Sequence, residues 1–239
     1  MKTFIILPAR LESTRLPKKL IQNIGDKTLI EHMIITAKKL KDSEVIVSTD
    51  SKIIESYAKK YNVGSILSNK KFKNGSERCF FTANKLNASS NDIIINLQSD
   101  EFNINVNDIK KLIRFMKLSS DINVSTLVYE TNSKSEYLDK NYVKVVVDKQ
   151  LRAVTFTRQT ITSIKLNYLI HIVVYGFKYK TLEHYASLKE CHYEKEESLE
   201  QLRMIWNNIP IHCVQIKNNQ SIGINSARDL RKARETYGN

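Results

Sequence analysis

Hydrophobic runs and amphipathic stretches alternate along the first half of the chain. Residues 3–8, 45–48 and 93–97 are short runs with apolar residues on both faces, as in buried parallel strands. Stretches with helical periodicity lie between and after these runs, at 28–41, 52–60, 76–86 and 106–118. This alternation predicts an α/β fold in which helices cover both faces of a mixed, mostly parallel central sheet.

The second half is less regular and mixes the same two patterns. Residues 143–147 and 152–156 predict a hairpin around 148–150. Further strands are predicted at 169–177 and 211–216, and helices at 195–206 and 227–236. With six Gly and three Pro in the chain, neither a linker nor a repeat marks a boundary. We therefore predict one domain that covers residues 1–239.

The composition restricts the class of protein. The 41% hydrophobic and 26% charged content is typical of a globular chain and excludes intrinsic disorder. No apolar run approaches the roughly 20 residues that span a bilayer, and no signal-peptide pattern follows Met1, so we expect no membrane partner. Cys79, Cys191 and Cys213 are odd in number and far apart, which favours a reducing cytoplasm over a disulfide framework or a zinc cluster.

The net charge of +13 raises the question of a nucleic-acid partner. The basic residues are spread along the chain, mostly on the polar faces of amphipathic segments. This distribution favours solvated helix faces, and we expect no nucleic-acid binding. Part of the charge remains available to an anionic small-molecule substrate.

One basic loop stands out, directly after the first predicted strand. It places Arg10, Arg15 and Lys19 in one segment, with the hydroxyls of Ser13 and Thr14 between them. A strand followed by a loop and a helix is the usual setting of a polyphosphate site in α/β proteins. Cations and hydroxyls bond phosphate oxygens. The loop therefore predicts a triphosphate site.

A second polar segment, Gln98-Ser99-Asp100-Glu101, follows the predicted strand 93–97. Its carboxylates are suitable for Mg²⁺, which takes one or two carboxylates and completes its shell with phosphate oxygens and water. A plain turn or helix cap is the alternative, because Asp and Ser favour those positions. Together with the basic loop, the segment favours a magnesium–polyphosphate site.

Ordered motifs along nearly the whole chain carry a family resemblance. They are L-P-A-R-L-E-S-T-R-L-P-K-K at 7–19, N-G-S-E-R at 74–78, N-L-Q-S-D-E-F at 96–102, N-Y-V-K-V-V-V-D at 141–148, F-T-R at 156–158, H-I-V-V-Y-G-F at 171–177 and L-E-Q-L-R at 199–203. The corresponding family patterns are I-P-A-R-x-x-S-T-R-L-P-x-K, S-G-T-E-R, N-x-Q-G-D-E-P, N-x-V-K-V-V-x-D, F-S-R, H-x-G-x-Y-G-F and L-E-Q-L-R. In these segments the chain resembles the 3-deoxy-manno-octulosonate (KDO) cytidylyltransferase family, the CMP-KDO synthetases. The resemblance implies a Rossmann-like nucleotide-diphospho-sugar transferase fold, a homodimer formed through the second half, and a role in lipopolysaccharide or capsule biosynthesis.

The resemblance also implies a reaction, in which the anomeric hydroxyl of the acid sugar attacks the α-phosphorus of CTP and expels pyrophosphate. It assigns catalysis to Arg10, Lys19 and Asp100. It assigns nucleotide binding to Ala9, Arg10, Ser13, Arg15, Lys19, Arg78 and Gln98. It assigns sugar binding to Arg158, His171, Tyr175, Glu200 and Gln201. It assigns Mg²⁺ to Asp100, with Asn225 at the position of a second metal ligand.

Several of these residues also have a purely structural interpretation. His171 is compatible with a core histidine, Tyr175 with packing, and Glu200 and Gln201 with the solvent face of a helix. Arg158 follows a buried strand, where a cation usually has an anionic partner.

The chain departs from the family motifs at a few positions. Asn225 stands where the family has a metal-binding Asp, and its amide oxygen brings no charge. Ser99 replaces Gly and Phe102 replaces Pro beside Asp100, which predicts a reshaped metal loop. The segment 161–165 differs from the family pattern, and Val173 replaces a Gly, which predicts a narrower sugar pocket.

These departures leave two alternatives open. One is a cytidylyltransferase for a different acid sugar, although the Ser-Thr-Arg-Leu core of the basic loop favours the KDO branch over the sialate branch. The other is a weakly active or non-catalytic nucleotide-binding paralogue, for which Asn225 is the reason.

Overall fold

The computed structural model describes residues 1–160 and 168–238. Its strands are β1 (Thr3–Ala9), β2 (Asn23–Ile24), β3 (Lys27–Thr28), β4 (Glu44–Thr49), β5 (Gly64–Leu67), β6 (Ile93–Leu97), β7 (Glu101–Phe102), β8 (Val124–Glu130), β9 (Lys144–Val147), β10 (Ala153–Thr157), β11 (Leu169–Lys178), β12 (His212–Ile216) and β13 (Ile222–Gly223). Its helices are α1 (Leu29–Lys38), α2 (Lys52–Lys60), α3 (Gly75–Lys85), α4 (Val106–Leu118), α5 (Lys134–Leu138), α6 (Tyr179–Ser187), α7 (His192–Glu197), α8 (Leu202–Trp206) and α9 (Ala227–Tyr237), with a 3-10 turn at Lys19–Ile21.

The first half of the chain forms the parallel part of the central sheet, in the order β5-β4-β1-β6. Nearly all residues of β1 and all residues of β6 are buried, as expected of central strands covered on both faces. In β1, Ile5 and Leu7 point into one hydrophobic cluster, whereas Phe4 and Ile6 point into the other. The apolar run therefore serves two cores at once.

The long strand β11 joins the second half to this parallel part. It pairs antiparallel with β6, β8 and β9. β10 pairs with β9, and β12 runs parallel to β8. Of the nine strands in this sheet, β1, β4, β5, β6, β8 and β12 take part in parallel pairs. The register of β11 against β8 shifts between Ile172 and Tyr175, close to the end of β6.

Helices cover both faces of the sheet. α1, α2, α4 and α9 bury residues such as Ile34 and Leu112 in the first cluster. α3, α6 and α8 bury residues such as Ala83 and Leu182 in the second cluster. The predicted α/β fold, with a mixed and mostly parallel sheet between two helical layers, is confirmed.

The predicted helix 195–206 is wrong, because the chain forms α7 and α8 instead. Ser198 lies between them with a left-handed φ of 54°. Arg203 of α8 is buried and donates two hydrogen bonds of 2.6 and 2.7 Å to the carboxylate of Glu194 in α7. This ion pair holds the two short helices together. The connection between them carries Glu200 and Gln201.

Strand β8 does not follow from the sequence pattern, because Ser125 and Thr126 interrupt its apolar run. Both residues are fully buried in the structure. The Ser125 hydroxyl donates to the carbonyl of His212 at 2.8 Å, and the Thr126 hydroxyl donates to the carbonyl of Val174 at 2.8 Å. Tertiary hydrogen bonds thus make these polar residues compatible with a buried strand.

Three expectations have different outcomes. Within 1–160 and 168–238, no helix has the length and the apolar character needed to cross a bilayer. The altered segment 161–165 lies outside the described residues. The assignment of one domain to residues 1–239 stays a prediction.

Candidate active site

Three parallel strands direct their following loops to one edge of the sheet. Arg10 follows β1, Asp50 follows β4, and Asp100 lies three residues beyond β6. The carboxyl ends of neighbouring parallel strands form the crevice in which open α/β sheets bind ligands. A cavity of about 140 Å³ lies at this edge, and we call it the basic cavity. Its polar lining includes Arg10, Lys19, Lys73, Arg78, Gln98 and Asp100.

Lys19 links the two loops that carry the candidate metal ligands. Its Nζ lies 2.5 Å from Oδ2 of Asp100 and also donates to the carbonyl of Ile224 at 3.1 Å. The Ile224 N–H donates to the carbonyl of Asp100 at 2.8 Å, and β7 pairs with β13. These contacts hold the Asp100 loop beside the Asn225 loop.

The other residues of the basic loop are placed differently. Arg15 donates from Nη2 to Oδ1 of Asn225 at 2.9 Å, and both residues line a third cavity of about 190 Å³. Ser13 is half-buried and lines none of the three cavities, and Ala9 is the buried last residue of β1. The structure therefore brings Arg10, Lys19, Arg78, Gln98 and Asp100 together but leaves Ser13 and Arg15 outside the basic cavity.

Asp100 and Asn225 present the oxygens expected near a metal ion, and each already contacts a cationic side chain. Glu101 is buried and accepts a 2.5 Å hydrogen bond from Ser221, and burial raises its pKa to about 7. In the described part of the chain, no group of three or more His, Cys, Asp or Glu side chains is arranged to hold a metal. One carboxylate and one neutral amide fit Mg²⁺ when phosphate oxygens supply further ligands.

Arg78 is a buried cation at the start of α3. Its guanidinium carbon lies 4.8 Å from the centre of the Phe72 ring, and its Nη2 lies 3.6 Å from Oδ2 of Asp50. Asp50 also accepts a hydrogen bond from the N–H of Leu11 at 3.1 Å, which ties the basic loop to this contact. The Nη1 of Arg78 is buried and has no hydrogen-bond partner among the described residues. Because an unpaired buried donor is costly, Nη1 is available to an acceptor on a ligand.

A second cavity, of about 390 Å³, adjoins the basic cavity, and we call it the histidine cavity. Asn74, Gly75 and Gln98 line both cavities. All residues predicted to bind the sugar line the histidine cavity: Arg158, His171, Tyr175, Glu200 and Gln201. They come from β11, the end of β10 and the connection between α7 and α8, so only the tertiary structure brings them together.

The hydrogen-bond network assigns the tautomer of His171. The Thr126 hydroxyl donates to the carbonyl of Val174, so it accepts the 2.9 Å hydrogen bond from Nε2 of His171. Nδ1 is then an acceptor, and among the described residues it has no partner. Burial, aided by the charge of Arg158, lowers the pKa of His171 to about 3. The ring is therefore neutral near pH 7 and can accept a hydrogen bond from a ligand hydroxyl.

Tyr175 and Glu200 add further polar groups to this cavity. The Tyr175 hydroxyl is buried without a partner among the described residues. Desolvation raises the pKa of Glu200 to about 7, against two hydrogen bonds from Ser76 that lower it. The Ser76 N–H lies 3.3 Å from Oε2 and its hydroxyl 3.1 Å from Oε1. Glu200 therefore changes its charge near neutral pH.

Backbone contacts fix the position of Arg158. Its N–H donates to Oε2 of Glu197 at 2.8 Å, and its Nη1 donates to the carbonyl of Lys140 at 3.2 Å. The fully buried Lys144 holds the segment around Lys140, because it donates to the carbonyls of Asp139 and Tyr142, each at 2.9 Å. Burial lowers the pKa of Arg158, but a guanidinium stays charged at neutral pH. The cavity thus offers a positive charge to an anionic ligand.

Comparison with known proteins identifies the family of this chain. The family model described as Cytidylyltransferase matches residues 4–216. The 3-deoxy-manno-octulosonate cytidylyltransferase of Elusimicrobium minutum is 31% identical over 245 residues, covering 99% of this chain and 98% of that protein. The chain belongs to the cytidylyltransferase family.

Two further relatives agree with this assignment. The 3-deoxy-manno-octulosonate cytidylyltransferase of Francisella tularensis is 31% identical, covering 98% of this chain and 97% of that protein. A solved structure of CMP:2-keto-3-deoxy-manno-octonic acid synthetase complexed with CTP has a TM-score of 0.90 at 30% identity, covering 99% of this chain and 98% of that one. The predicted Rossmann-like nucleotidyltransferase fold of this cytidylyltransferase is confirmed.

Two departures from the family motifs make contacts that hold the loop that carries Asp100. The Ser99 hydroxyl donates to the carbonyl of Pro8 at 2.9 Å, which ties the loop after β6 to the end of β1. Phe102 packs edge-on against His32 and Tyr237, with ring centres 5.2 and 5.4 Å apart. Both contacts are made by the side chains that replace the Gly and the Pro of the family motif.

Val173 lies in the register shift of β11 and lines the histidine cavity. Its side chain is half-buried and occupies part of the cavity wall. The cavity has a volume of about 390 Å³, and the narrowing of the pocket by this valine stays a prediction.

Sequence reasoning missed the residues that separate the two cavities of this cytidylyltransferase. Asn74 caps α3 by accepting from the N–H of Glu77 at 2.9 Å, and it donates to the Tyr185 hydroxyl at 2.9 Å. A Cβ on Gly75 would lie 2.3 Å from Nε2 of Gln98, so only glycine allows this close approach. The motif at 74–78 contained this signal. Lys73, which pairs with Glu190 at 2.6 Å, had no such signal.

Proposed function

We propose that this protein is a CTP-dependent 3-deoxy-manno-octulosonate cytidylyltransferase that converts CTP and KDO to CMP-KDO and pyrophosphate. The observation that carries the proposal is the pair of adjoining cavities, together with the full-length similarity to named enzymes of this activity. One cavity is lined by several cations beside a carboxylate. The other contains an arginine, a neutral histidine and a tyrosine hydroxyl, which suit a polyhydroxylated acid sugar.

The basic cavity supports binding of the nucleotide. Arg10 and Lys19 act on the phosphates as catalytic residues, because an in-line displacement at phosphorus depends on positioning and charge neutralisation. Arg15, Ser13 and Ala9 do not line the basic cavity, so their contacts with the phosphates stay a prediction from the family resemblance. Arg78 and Gln98 bind the nucleoside side of CTP, and the unpaired Nη1 of Arg78 supports this role.

The histidine cavity supports binding of the acid sugar. Arg158 pairs with the sugar carboxylate, and Nδ1 of His171 accepts a hydrogen bond from a sugar hydroxyl. Tyr175 donates from its unpaired hydroxyl, and Glu200 and Gln201 bond further hydroxyls. With the two substrates bound in this way, the anomeric hydroxyl faces the α-phosphorus at the boundary between the cavities, which Gly75 and Gln98 line.

We propose Mg²⁺ as the cofactor, held by Asp100 with Asn225 as a neutral second ligand. The ion supplies charge neutralisation at the phosphates when it is bound. Lys19 contacts Oδ2 of Asp100, and Arg15 contacts Oδ1 of Asn225. These contacts hold the loops that carry the two proposed metal ligands beside the phosphates.

Release of pyrophosphate from CTP tests the proposal, with KDO, a panel of other acid sugars and no sugar, each with and without Mg²⁺. We expect release that requires both KDO and Mg²⁺. Faster turnover of another acid sugar would support the alternative substrate, which the named relatives do not favour. CTP binding without turnover of any sugar would overturn the proposed activity.

We also propose that the protein is a homodimer formed through its second half. The rings of Tyr193 and Trp206 lie 5.5 Å apart with exposed fractions of 52% and 62%, and Val154 of β10, a strand that contacts α8, is 53% exposed. Exposed apolar residues that cluster in this way are typical of protein interfaces. Light scattering should give twice the chain mass of 27.7 kDa, and Trp206→Glu should shift the protein toward monomer. A chain mass of 27.7 kDa at all concentrations would contradict the dimer.

We place the enzyme in the cytoplasm, where it supplies activated KDO to lipopolysaccharide or capsule biosynthesis. All three cysteines are free and buried, which suits a reducing compartment. Fractionation of cells that express a tagged chain tests the location, and loss of CMP-KDO after deletion of the gene tests the role.

A further inference from the structure

A row of hydrogen-bonded side chains runs between the two cavities. Nε2 of Gln98 donates to Oδ1 of Asn96 at 3.2 Å, and Nδ2 of Asn96 donates to Oγ of Ser76 at 3.2 Å. The Ser76 hydroxyl then donates to Oε1 of Glu200 at 3.1 Å. Gln98 lines both cavities, and Glu200 lines the histidine cavity. We call these four residues the amide relay.

The two middle residues of the amide relay are fully buried and line neither cavity. Asn96 lies in the central strand β6, and Ser76 lies in the first turn of α3. The N–H of Ser76 also points at Glu200, with 3.3 Å to Oε2. Gly75 lets the Gln98 side chain lie this close to α3, because a Cβ there would lie 2.3 Å from Nε2 of Gln98 and 3.2 Å from Nδ2 of Asn96. The relay is therefore a packed connection from one cavity to the other.

When Glu200 is ionised, the chemistry of the relay permits one direction of its hydrogen bonds. The carboxylate then only accepts, so the single hydroxyl proton of Ser76 goes to Glu200. The Ser76 oxygen must then accept from the NH₂ group of Asn96, and the Asn96 oxygen must accept from the NH₂ group of Gln98. The carboxylate at one end thereby determines the amide orientation of Gln98 at the other end, and leaves the Gln98 carbonyl oxygen to a ligand.

We infer that Ser76 and Asn96 are positioning residues that couple sugar binding at Glu200 to nucleotide binding at Gln98. A sugar that bonds Glu200 changes how firmly the Ser76 hydroxyl is held, and the change reaches Gln98 through Asn96. Coupling between sites is reciprocal, so a bound nucleotide strengthens sugar binding by the same factor. This inference rests on the proposed function, because it assigns the two cavities to CTP and KDO.

Calorimetric titration tests the coupling. The affinity for cytidine 5′-(α,β-methylene)triphosphate, which cannot release pyrophosphate, is measured with Mg²⁺ in the absence and presence of saturating KDO. For the wild-type chain we expect KDO to tighten nucleotide binding by about tenfold. Ser76→Ala and Asn96→Ala should each reduce this factor to about one, while the nucleotide still binds in the absence of KDO.

Two matched variants separate coupling from stability. Ser76→Thr keeps the hydroxyl and places the residue of the family motif at this position, so it should restore the coupling. Ser125→Ala removes another fully buried serine hydroxyl, which bonds the carbonyl of His212 outside the relay. It should lower the melting temperature as Ser76→Ala does and leave the coupling factor unchanged.

The outcomes distinguish this inference from the proposed function. If the wild-type chain binds the nucleotide and turns over KDO but shows no coupling, or if Ser76→Ala retains it, the relay is overturned and the function stands. If the wild-type chain neither binds the nucleotide nor turns over KDO, the proposed function is overturned together with the relay.

Discussion

The basic cavity and the histidine cavity differ in how the chain supplies their polar groups. The basic cavity takes most of its groups from loops that directly follow parallel strands, and Arg10 in the first of these loops is exposed. The histidine cavity takes its groups from an antiparallel strand, a hairpin end and a helix break, and His171 and Tyr175 there are buried. The basic cavity thus contains exposed and partly exposed charged groups, such as Arg10 and Asp100. The histidine cavity contains desolvated polar groups.

This difference determines how each cavity responds to change. The carboxylate of Asp100 in the basic cavity is partly exposed and pairs with Lys19. In the histidine cavity, burial lowers the pKa of His171 and raises that of Glu200. We therefore expect activity to be most sensitive to the removal of a charge in the basic cavity. In the histidine cavity we expect changes in pH and in the affinity for the ligand.

The sharpest test of the comparison is Asp100→Asn. Loss of the only carboxylate that we assign to Mg²⁺ should reduce kcat for pyrophosphate release by about 1,000-fold, because charge at the transferring phosphate is no longer neutralised. Asp26→Asn is the matched control, since Asp26 is exposed and pairs, among the described residues, only with the adjacent Lys27. Retention of wild-type kcat would contradict the assignment of Asp100.

Arg158→Ala removes one charge from the histidine cavity, as Asp100→Asn does from the basic cavity. Loss of the proposed ion pair with the sugar carboxylate should raise the KM for KDO about 100-fold and leave the KM for CTP within about twofold, as expected for a charge-assisted hydrogen bond. Steady-state kinetics with each substrate varied gives both constants. Arg152→Ala, on the same hairpin and paired with Asp148, is the control. An equal rise in both KM values would show that the two cavities are not separate.

The third prediction concerns pH and Glu200. Because desolvation raises its pKa from the ordinary 4.5 to about 7, the carboxyl is neutral below pH 7 and ionised above it. The ionised form accepts stronger hydrogen bonds, so kcat/KM for KDO should rise about tenfold between roughly pH 6 and 8. Glu200→Gln should flatten this rise, whereas Glu196→Gln on the exposed face of α7 should not. A persistent rise in Glu200→Gln would assign the titration to another group.

The same shift links Glu200 to stability. A carboxyl with a raised pKa in the folded state stabilises the fold below pH 4.5 and loses that contribution as the pH rises through about 7. Thermal melts of Glu200→Gln should therefore depend less on pH than melts of the wild-type chain.

The smallest effect is expected from Asn225→Asp. A second carboxylate should lower the Mg²⁺ concentration for half-maximal activity by about fivefold, because a hard cation prefers charged oxygens. It should also strengthen the contact with Arg15, now 2.9 Å from the amide oxygen. Asn103→Asp adds the same charge in the turn beside Asp100, at a residue that lines none of the three cavities described above, and serves as the control. Equal responses of both variants would indicate a general charge effect.

Most of the basic cavity was predictable from the sequence. The apolar run of β1 and the cations that follow it are adjacent in the chain, and the rule for parallel strands places their loops at one edge. The same reasoning located Asp100 after β6. Without a resemblance to known enzymes, the histidine cavity was not predictable, because the residues predicted to bind the sugar are scattered from position 158 to position 201 and have ordinary structural interpretations.

The sequence by itself determined the α/β fold, the basic loop, the carboxylate loop and the family, because these depend on local periodicity and on motifs of adjacent residues. The tertiary structure alone decided that α7 and α8 are separate helices, that Nδ1 of His171 is an acceptor without a partner among the described residues, and that Asn96 and Ser76 connect Gln98 with Glu200. The physical reason is that burial and hydrogen-bond partners are properties of the folded chain. A polar residue in the sequence does not reveal whether it meets water, another side chain or a cavity.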